Sequence, residues 1–100
     1  MEYAIFEINA GKESDAKMLE EDDLISRQTI TIRNAKALGL DGDSTYIKIE
    51  GNPEAIERAV EMVEDNELGE KLSEKEAKEI YDKIAEEEES ASHGMGMIFD

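Results

Sequence analysis

The sequence predicts an α+β domain in which helices pack on one face of a small antiparallel sheet. Three segments alternate apolar and polar residues with the period of a strand: Glu2–Asn9, Arg27–Arg33 and Thr45–Glu50. Two later segments, which begin after Asn52 and after Ser73, repeat apolar residues at the i, i+3, i+4, i+7 spacing of an amphipathic helix. Strand pairs beside helices are typical of the α+β class.

The first segment, Glu2–Asn9, is predicted to be a central strand. Its alternate residues make one side apolar, and Ile5 makes the other side partly apolar as well. The segment that follows, Glu13–Asp23, predicts a short frayed helix or a loop. Its acidic end opposes the helix dipole, which explains the expected fraying.

The second and third segments are predicted to form a hairpin. Arg27–Arg33 alternates β-branched residues, and Thr45–Glu50 has one mostly apolar side. The sequence Asp41-Gly42-Asp43 between them is the strongest hairpin-turn signal in the chain.

Both helices carry start signals. Gly51 ends the third strand, Asn52 is predicted to cap the next helix with its side chain, and Pro53 suits the first helical position. Ser73 and Glu76 have the spacing of a capping box.

Residues 1-90 are predicted to form a single domain, and residues 91-100 a C-terminal tail. The preferred topology is the ferredoxin-like split β-α-β arrangement, which needs a fourth strand. Met95–Phe99 is the candidate for that strand. A three-stranded sheet with a loose tail is the alternative.

The charge restricts the partners. Twenty-seven acidic and eleven basic residues give a formal net charge of −16, which predicts no binding to nucleic acid or to an anionic membrane. A protein partner or self-association is predicted instead, with contact through the sheet face or the C-terminal tail. The chain has no apolar run long enough for a membrane helix and no signal-peptide pattern, so a cytoplasmic location is expected.

Ile47–Glu64 resembles the strand–glycine–helix ending of KH modules, and Gly39 and Gly42 have their G-x-x-G spacing. In KH modules that loop joins two helices, whereas here a strand follows it directly. The loop carries Asp41 where a phosphate-binding loop has basic neighbours, so no functional residue is taken from the resemblance.

Enzymatic function is not predicted. The chain has no cysteine, and His93 is its single histidine. It also lacks the motifs of nucleophile elbows, phosphate-binding loops and zinc proteases. The sequence therefore predicts a small acidic interaction or regulatory domain without a cofactor.

The alternative prediction is a weak Ca²⁺ or Mg²⁺ site. Asp41, Asp43 and Thr45 lie at i, i+2 and i+4 and supply the oxygen ligands that these cations prefer. A tight turn with Asp residues present for backbone reasons explains the same pattern. In the tail, His93, Met95 and Met97 alternate, which suits a binding site for a soft metal. An ordinary chain end that contains methionines explains the same pattern.

Overall fold

The computed structural model describes the backbone of residues 2–99 and the side chains of residues 2–89. The α+β class and the small antiparallel sheet are confirmed. The elements are β1 Glu2–Ile8, α1 Met18–Glu21, β2 Thr29–Asn34, β3 Thr45–Gly51, α2 Pro53–Asp65, β4 Gly69–Lys71 and α3 Glu74–Phe99. Three short 3-10 helices lie at Asp15–Lys17, Ile25–Arg27 and Lys36–Leu38.

The sheet has the strand order β2-β3-β1-β4, and every neighbouring pair is antiparallel. β1 lies between β3 and β4, as predicted for a strand with two apolar sides. The order and directions are consistent with a ferredoxin-like split β-α-β topology.

The helices cover both faces of the sheet, whereas one face was predicted. On the first face, α1 and α2 enclose a core formed by Ala4, Phe6, Ile8, Ala16, Leu19, Ile25, Ile47, Ile49, Ile56, Ala59, Val63 and Leu68. On the second face, α3 encloses a core formed by Ile5, Leu38, Leu72, Ala77, Ile80 and Ile84. The physical reason is Ile5, which is fully buried on the second face of β1 and requires a cover there.

The fourth strand is Gly69–Lys71, which pairs with Phe6–Ile8. The predicted strand Met95–Phe99 belongs instead to the helical span of α3. Gly69 permits the pairing because a Cβ atom there would lie 1.9 Å from the Glu7 carbonyl oxygen. The side chains of Met95–Phe99 lie outside those described, so docking of the tail stays a prediction.

None of the helices in residues 2–99 is long and apolar enough to cross a bilayer. This holds for α3 as well, although it is the longest of them at 26 residues. In residues 74–89 of α3, apolar residues recur among many charged ones, and Ala77, Ile80 and Ile84 form the side that packs on the sheet.

The two predicted helix caps differ in the structure. The Glu76 backbone N–H donates to Ser73 Oγ at 3.3 Å, and Ser73 Oγ donates to Glu76 Oε1 at 3.1 Å, so the predicted Ser73 cap is confirmed. Asn52 holds the N-cap position of α2, but its side chain makes no capping bond to described residues. The prediction for Asn52 is therefore wrong in mechanism, because its backbone carbonyl alone accepts the Ala55 and Ile56 N–H groups.

We expect Ser73→Ala to lower the free energy of unfolding by about 1 kcal/mol, because the Glu76 N–H loses its acceptor. Asn52→Ala is the matched control at the other helix start, and we expect a change of less than about 0.5 kcal/mol there. Urea denaturation of the three proteins gives both values. Equal losses for the two variants would contradict the assignment of the caps.

Candidate functional site

The outer edge of β2 is an open edge of the sheet. β2 ends the strand order, so one edge pairs with β3 and the other faces away from the sheet. Ile32, in the middle of β2, is 40% exposed and is one of two large hydrophobic residues exposed among those described. Ile30, two residues before it, packs partly against the core of the first face.

The other end of the sheet offers a shorter edge. β4 has three residues against six in β2. After Lys71 the chain turns into α3, and an open cavity of about 780 Å³ borders the start of β1, lined in part by Tyr3, Leu72 and Ser73. β2 therefore provides the longer open edge.

The outward backbone groups of β2 belong to Ile30, Ile32 and, at the end of the strand, Asn34. The Ala35 N–H donates to the Ser44 carbonyl at 2.9 Å, and the pairing continues without a bulge along β2. Hydrogen-bonded pairs alternate along an antiparallel ladder, so Thr31 bonds to β3 while its two neighbours point away. On this outer side, Arg33 Nη1 donates to the Ile32 carbonyl at 2.9 Å.

Side-chain hydrogen bonds fix both ends of β2. At its start, Gln28 Nε2 donates to the Leu24 carbonyl at 3.1 Å, and Gln28 Oε1 accepts the Asn52 N–H at 3.0 Å. At its end, Asn34 Oδ1 accepts the Ala37 N–H at 2.8 Å. These bonds tie the strand to the elements on either side, so the edge is held in a defined position.

The edge also differs from the rest of the chain in charge. Residues 24–40 contain no Asp or Glu in a chain with 27 of them. Two arginines flank the edge, and each forms an ion pair at 3.2 Å, Arg27 with Asp23 and Arg33 with Glu87. Sequence reasoning missed this edge, although the acid-free run is a signal that is readable from the sequence.

The residues of the predicted cation site are only partly brought together. Asp41 and Asp43 are exposed, whereas Thr45 is 9% exposed at the start of β3. Asp43 and Thr45 line an open cavity of about 390 Å³ with Glu13. Among the residues with described side chains, no cluster of three or more His, Asp or Glu could hold a metal. His93, Met95 and Met97 lie outside those side chains.

Lys48 of β3 is buried, although strand alternation places it on the side opposite to Ile47 and Ile49. It is 6% exposed beneath α3. Its Nζ lies 3.4 Å from Glu50 Oε1 and 4.5 Å from the centroid of the Tyr81 ring. Lys48 therefore joins β3 to α3 through its cation–π contact with Tyr81, whereas its ion pair with Glu50 lies within β3.

Asp22 holds the turn that leads into β2. Its Oδ2 accepts the Leu24 and Ile25 N–H groups at 3.1 Å, and Arg58 Nε of α2 donates to its Oδ1 at 2.6 Å. Burial is the largest single influence and raises the pKa of Asp22. The hydrogen bonds and the positive charge of Arg58 together outweigh burial, so the pKa lies below its ordinary value of 3.8.

We expect Asp22→Asn to be less stable than the parent protein at neutral pH. Because folding lowers the pKa of Asp22, the carboxylate stabilises the fold above its unfolded-state pKa, and this stabilisation is lost as the pH falls through the folded-state pKa. The stability difference between the two proteins should therefore shrink as the pH falls from about 5 to about 2.

Urea denaturation across that pH range measures the difference. Asp41→Asn, at an exposed position, controls for the loss of one negative charge. A stability difference between parent and Asp22→Asn that stays constant with pH would contradict the role of the ionised carboxylate.

No known family model matches this chain, and neither curated proteins nor solved structures give a significant match. The fold class alone does not assign a function, because α+β domains serve many different ones. The open edge of β2, with its exposed Ile32 and its local charge, is the feature with the clearest physical consequence for binding.

Proposed function

We propose that the protein is a small, acidic, non-enzymatic interaction domain that binds a protein partner along the outer edge of β2. The observation that carries this proposal is the edge itself. It presents the outward backbone groups of Ile30 and Ile32 beside an exposed apolar side chain. An extended segment of a partner can add to such an edge as another strand.

The edge is favoured over the sheet faces as the binding surface. A face of the sheet and the tail are the surfaces suggested by the sequence alone. The core of the first face lies under α1 and α2, and the core of the second face lies under α3. A partner that used the covered part of either face would have to displace a packed helix, whereas strand addition leaves both cores intact.

Strand addition divides affinity and specificity between two kinds of contact. Main-chain hydrogen bonds to Ile30 and Ile32 supply affinity, and the side chains of the added strand supply specificity by their fit around Ile32. The net charge of −16 disfavours nucleic acids and anionic membranes as alternative partners. The proposed interaction domain is cytoplasmic and uses no cofactor.

We expect Ile32→Pro to abolish partner binding while the fold is kept. The Ile32 N–H points away from β3, so proline removes an outward donor without removing a β2–β3 hydrogen bond. Ile32→Val is the matched control, because it keeps both the N–H and an apolar side chain. Proteins captured from native extract should bind the parent and Ile32→Val but not Ile32→Pro.

Amide hydrogen exchange with a captured partner locates the contact. Exchange should slow at Ile30 and Ile32, whose N–H groups become bonded, and change little at Thr31, which already bonds to β3. Capture that is equal for all three baits, without slower exchange at Ile30 and Ile32, would contradict binding at this edge.

A weak Ca²⁺ or Mg²⁺ site at residues 41–45 is the second candidate function. One observation favours it: Glu13 lines the same open cavity as Asp43 and Thr45, which adds a carboxylate that the sequence pattern did not include. Carboxylate oxygens with backbone carbonyls make the kind of shell that Ca²⁺ accepts.

We expect Ca²⁺ to bind this site with a dissociation constant of roughly 10⁻⁴–10⁻³ M, because few charged ligands converge there. In an NMR titration at fixed ionic strength, the amides of residues 41–45 should shift first and saturably. Asp43→Asn should remove these shifts, whereas Asp65→Asn, at the end of α2, should not. Shifts spread evenly over the acidic surface would indicate screening and would contradict a site.

A further inference from the structure

We propose that the partner at the β2 edge is a second copy of this chain, with the two β2 strands antiparallel about a two-fold axis at Thr31. The inference rests on the proposed function, because it names the occupant of the same edge. It turns two four-stranded sheets into one continuous sheet.

Strand geometry restricts where the axis can lie. Successive side chains of a strand point to opposite faces, and a two-fold axis perpendicular to a continuous sheet pairs residues that share a face. The axis must therefore lie at the level of one residue of β2 and not midway between two consecutive residues. An axis at Thr31 sets Ile30 of each copy opposite Ile32 of the other. An axis at Ile32 would set Ile32 opposite Ile32 but each Ile30 opposite Asn34, so that two isoleucines instead of four would face an isoleucine.

The backbone of β2 fits the axis at Thr31. The N–H and C=O groups of Ile30 and Ile32 point outward, and this axis makes these two residues the hydrogen-bonded pairs between the copies. The two Thr31 residues then form the intervening pair without hydrogen bonds. The Ile32 carbonyl already accepts Arg33 Nη1, but a carbonyl oxygen has two lone pairs and can accept a second donor.

The charge of the edge permits a copy of the same chain to approach there. Two molecules of net charge −16 repel each other over most of their surfaces, and residues 24–40 are a stretch without acidic side chains. Arg33 would lie opposite Thr29 of the second copy, so like charges do not oppose each other across the strands. Because Arg27 and Arg33 already have intramolecular acidic partners, an acidic peptide would have to displace those ion pairs.

The edge also lacks two of the features that keep strands apart. β2 contains no proline, and its pairing with β3 runs from Thr29 to Asn34 without a bulge. Its exposed apolar residue, Ile32, becomes buried against Ile30 of the second copy in the proposed register. Two antiparallel copies of residues 29–33 are therefore complementary, because Ile30 faces Ile32 and Thr31 faces Thr31.

Sedimentation of the purified 100-residue chain from about 1 μM to about 1 mM tests the proposal. We expect a reversible dimer whose population rises when NaCl is added, because salt screens the repulsion between two acidic molecules. Ile32→Pro should raise the dissociation constant more than about tenfold, since each copy loses one interchain N–H donor. If circular dichroism shows that Ile32→Pro is unfolded, Ile32→Lys at the same exposed position replaces it and should also weaken the dimer.

A cysteine cross-link locates the axis. The chain has no cysteine, so each introduced thiol reports on one position. Facing residues of a pair without hydrogen bonds lie about 4.5 Å apart at Cα, which permits a disulfide. Thr31→Cys should therefore form a dimeric disulfide rapidly under mild oxidation. Lys71→Cys, on β4 at the opposite end of the sheet, is the control and should link slowly.

Three results would overturn the inference. The first is a monomer at every concentration and salt level. The second is a dimer whose dissociation constant is unchanged by Ile32→Pro and Ile32→Lys. The third is a disulfide that forms through Lys71→Cys but not through Thr31→Cys. A monomer whose Ile30 and Ile32 amides are protected by another protein would overturn the inference and leave the proposed function standing. A monomer without such protection in native extract would overturn both.

Discussion

The burial of β1 on both of its faces is the constraint on which the rest of the structure depends. Phe6 on the first face and Ile5 on the second are both fully buried. A strand of this kind needs apolar cover on each side, so α1 and α2 occupy one face and α3 the other. Because both faces are used for the fold, the edges of the sheet are the parts of its backbone left to bind other molecules.

The same constraint explains the position of Lys48. Cover by α3 extends over β3, where sequence alternation places Lys48 on the side opposite to Ile47 and Ile49. A buried ammonium group needs compensation, which Glu50 and the ring of Tyr81 provide within 4.5 Å. A residue that alternation assigns to solvent thus becomes a contact between the sheet and α3.

Local sequence patterns were sufficient for most of the fold. β1, β2, β3 and α2 have clear periodicity, and the helix after Ser73 has a capping signal that the structure confirms. β4 has no such pattern, because three residues of sequence Gly-Glu-Lys owe their strand conformation to the free edge of β1. The cover of the second face by α3 also depends on tertiary packing, which the helix period alone does not specify.

The candidate site was less predictable because it depends on strand order. The turn around Gly42 could be read from composition, but alternation along β3 sets Thr45 on the face shared with Ile47 and Ile49. That placement separates Thr45 from the exposed Asp41. The absence of acid in residues 24–40 was also visible in the sequence. This stretch can be recognised as an open edge only once β2 is known to lie at the outside of the sheet. That position is set by the pairing of β1 with β3 and β4.

The brevity of β4 has a consequence for assembly. A sheet with two long bare edges could grow by repeated addition of copies into an open fibre. Here one end of the sheet is a strand of three residues that the chain leaves at once for α3, with Lys71 at its last position. That end is a poor template for a further strand. Growth through β2 would therefore stop at a closed pair, and a protein with one bare strand would avoid polymerisation without having to hide that strand.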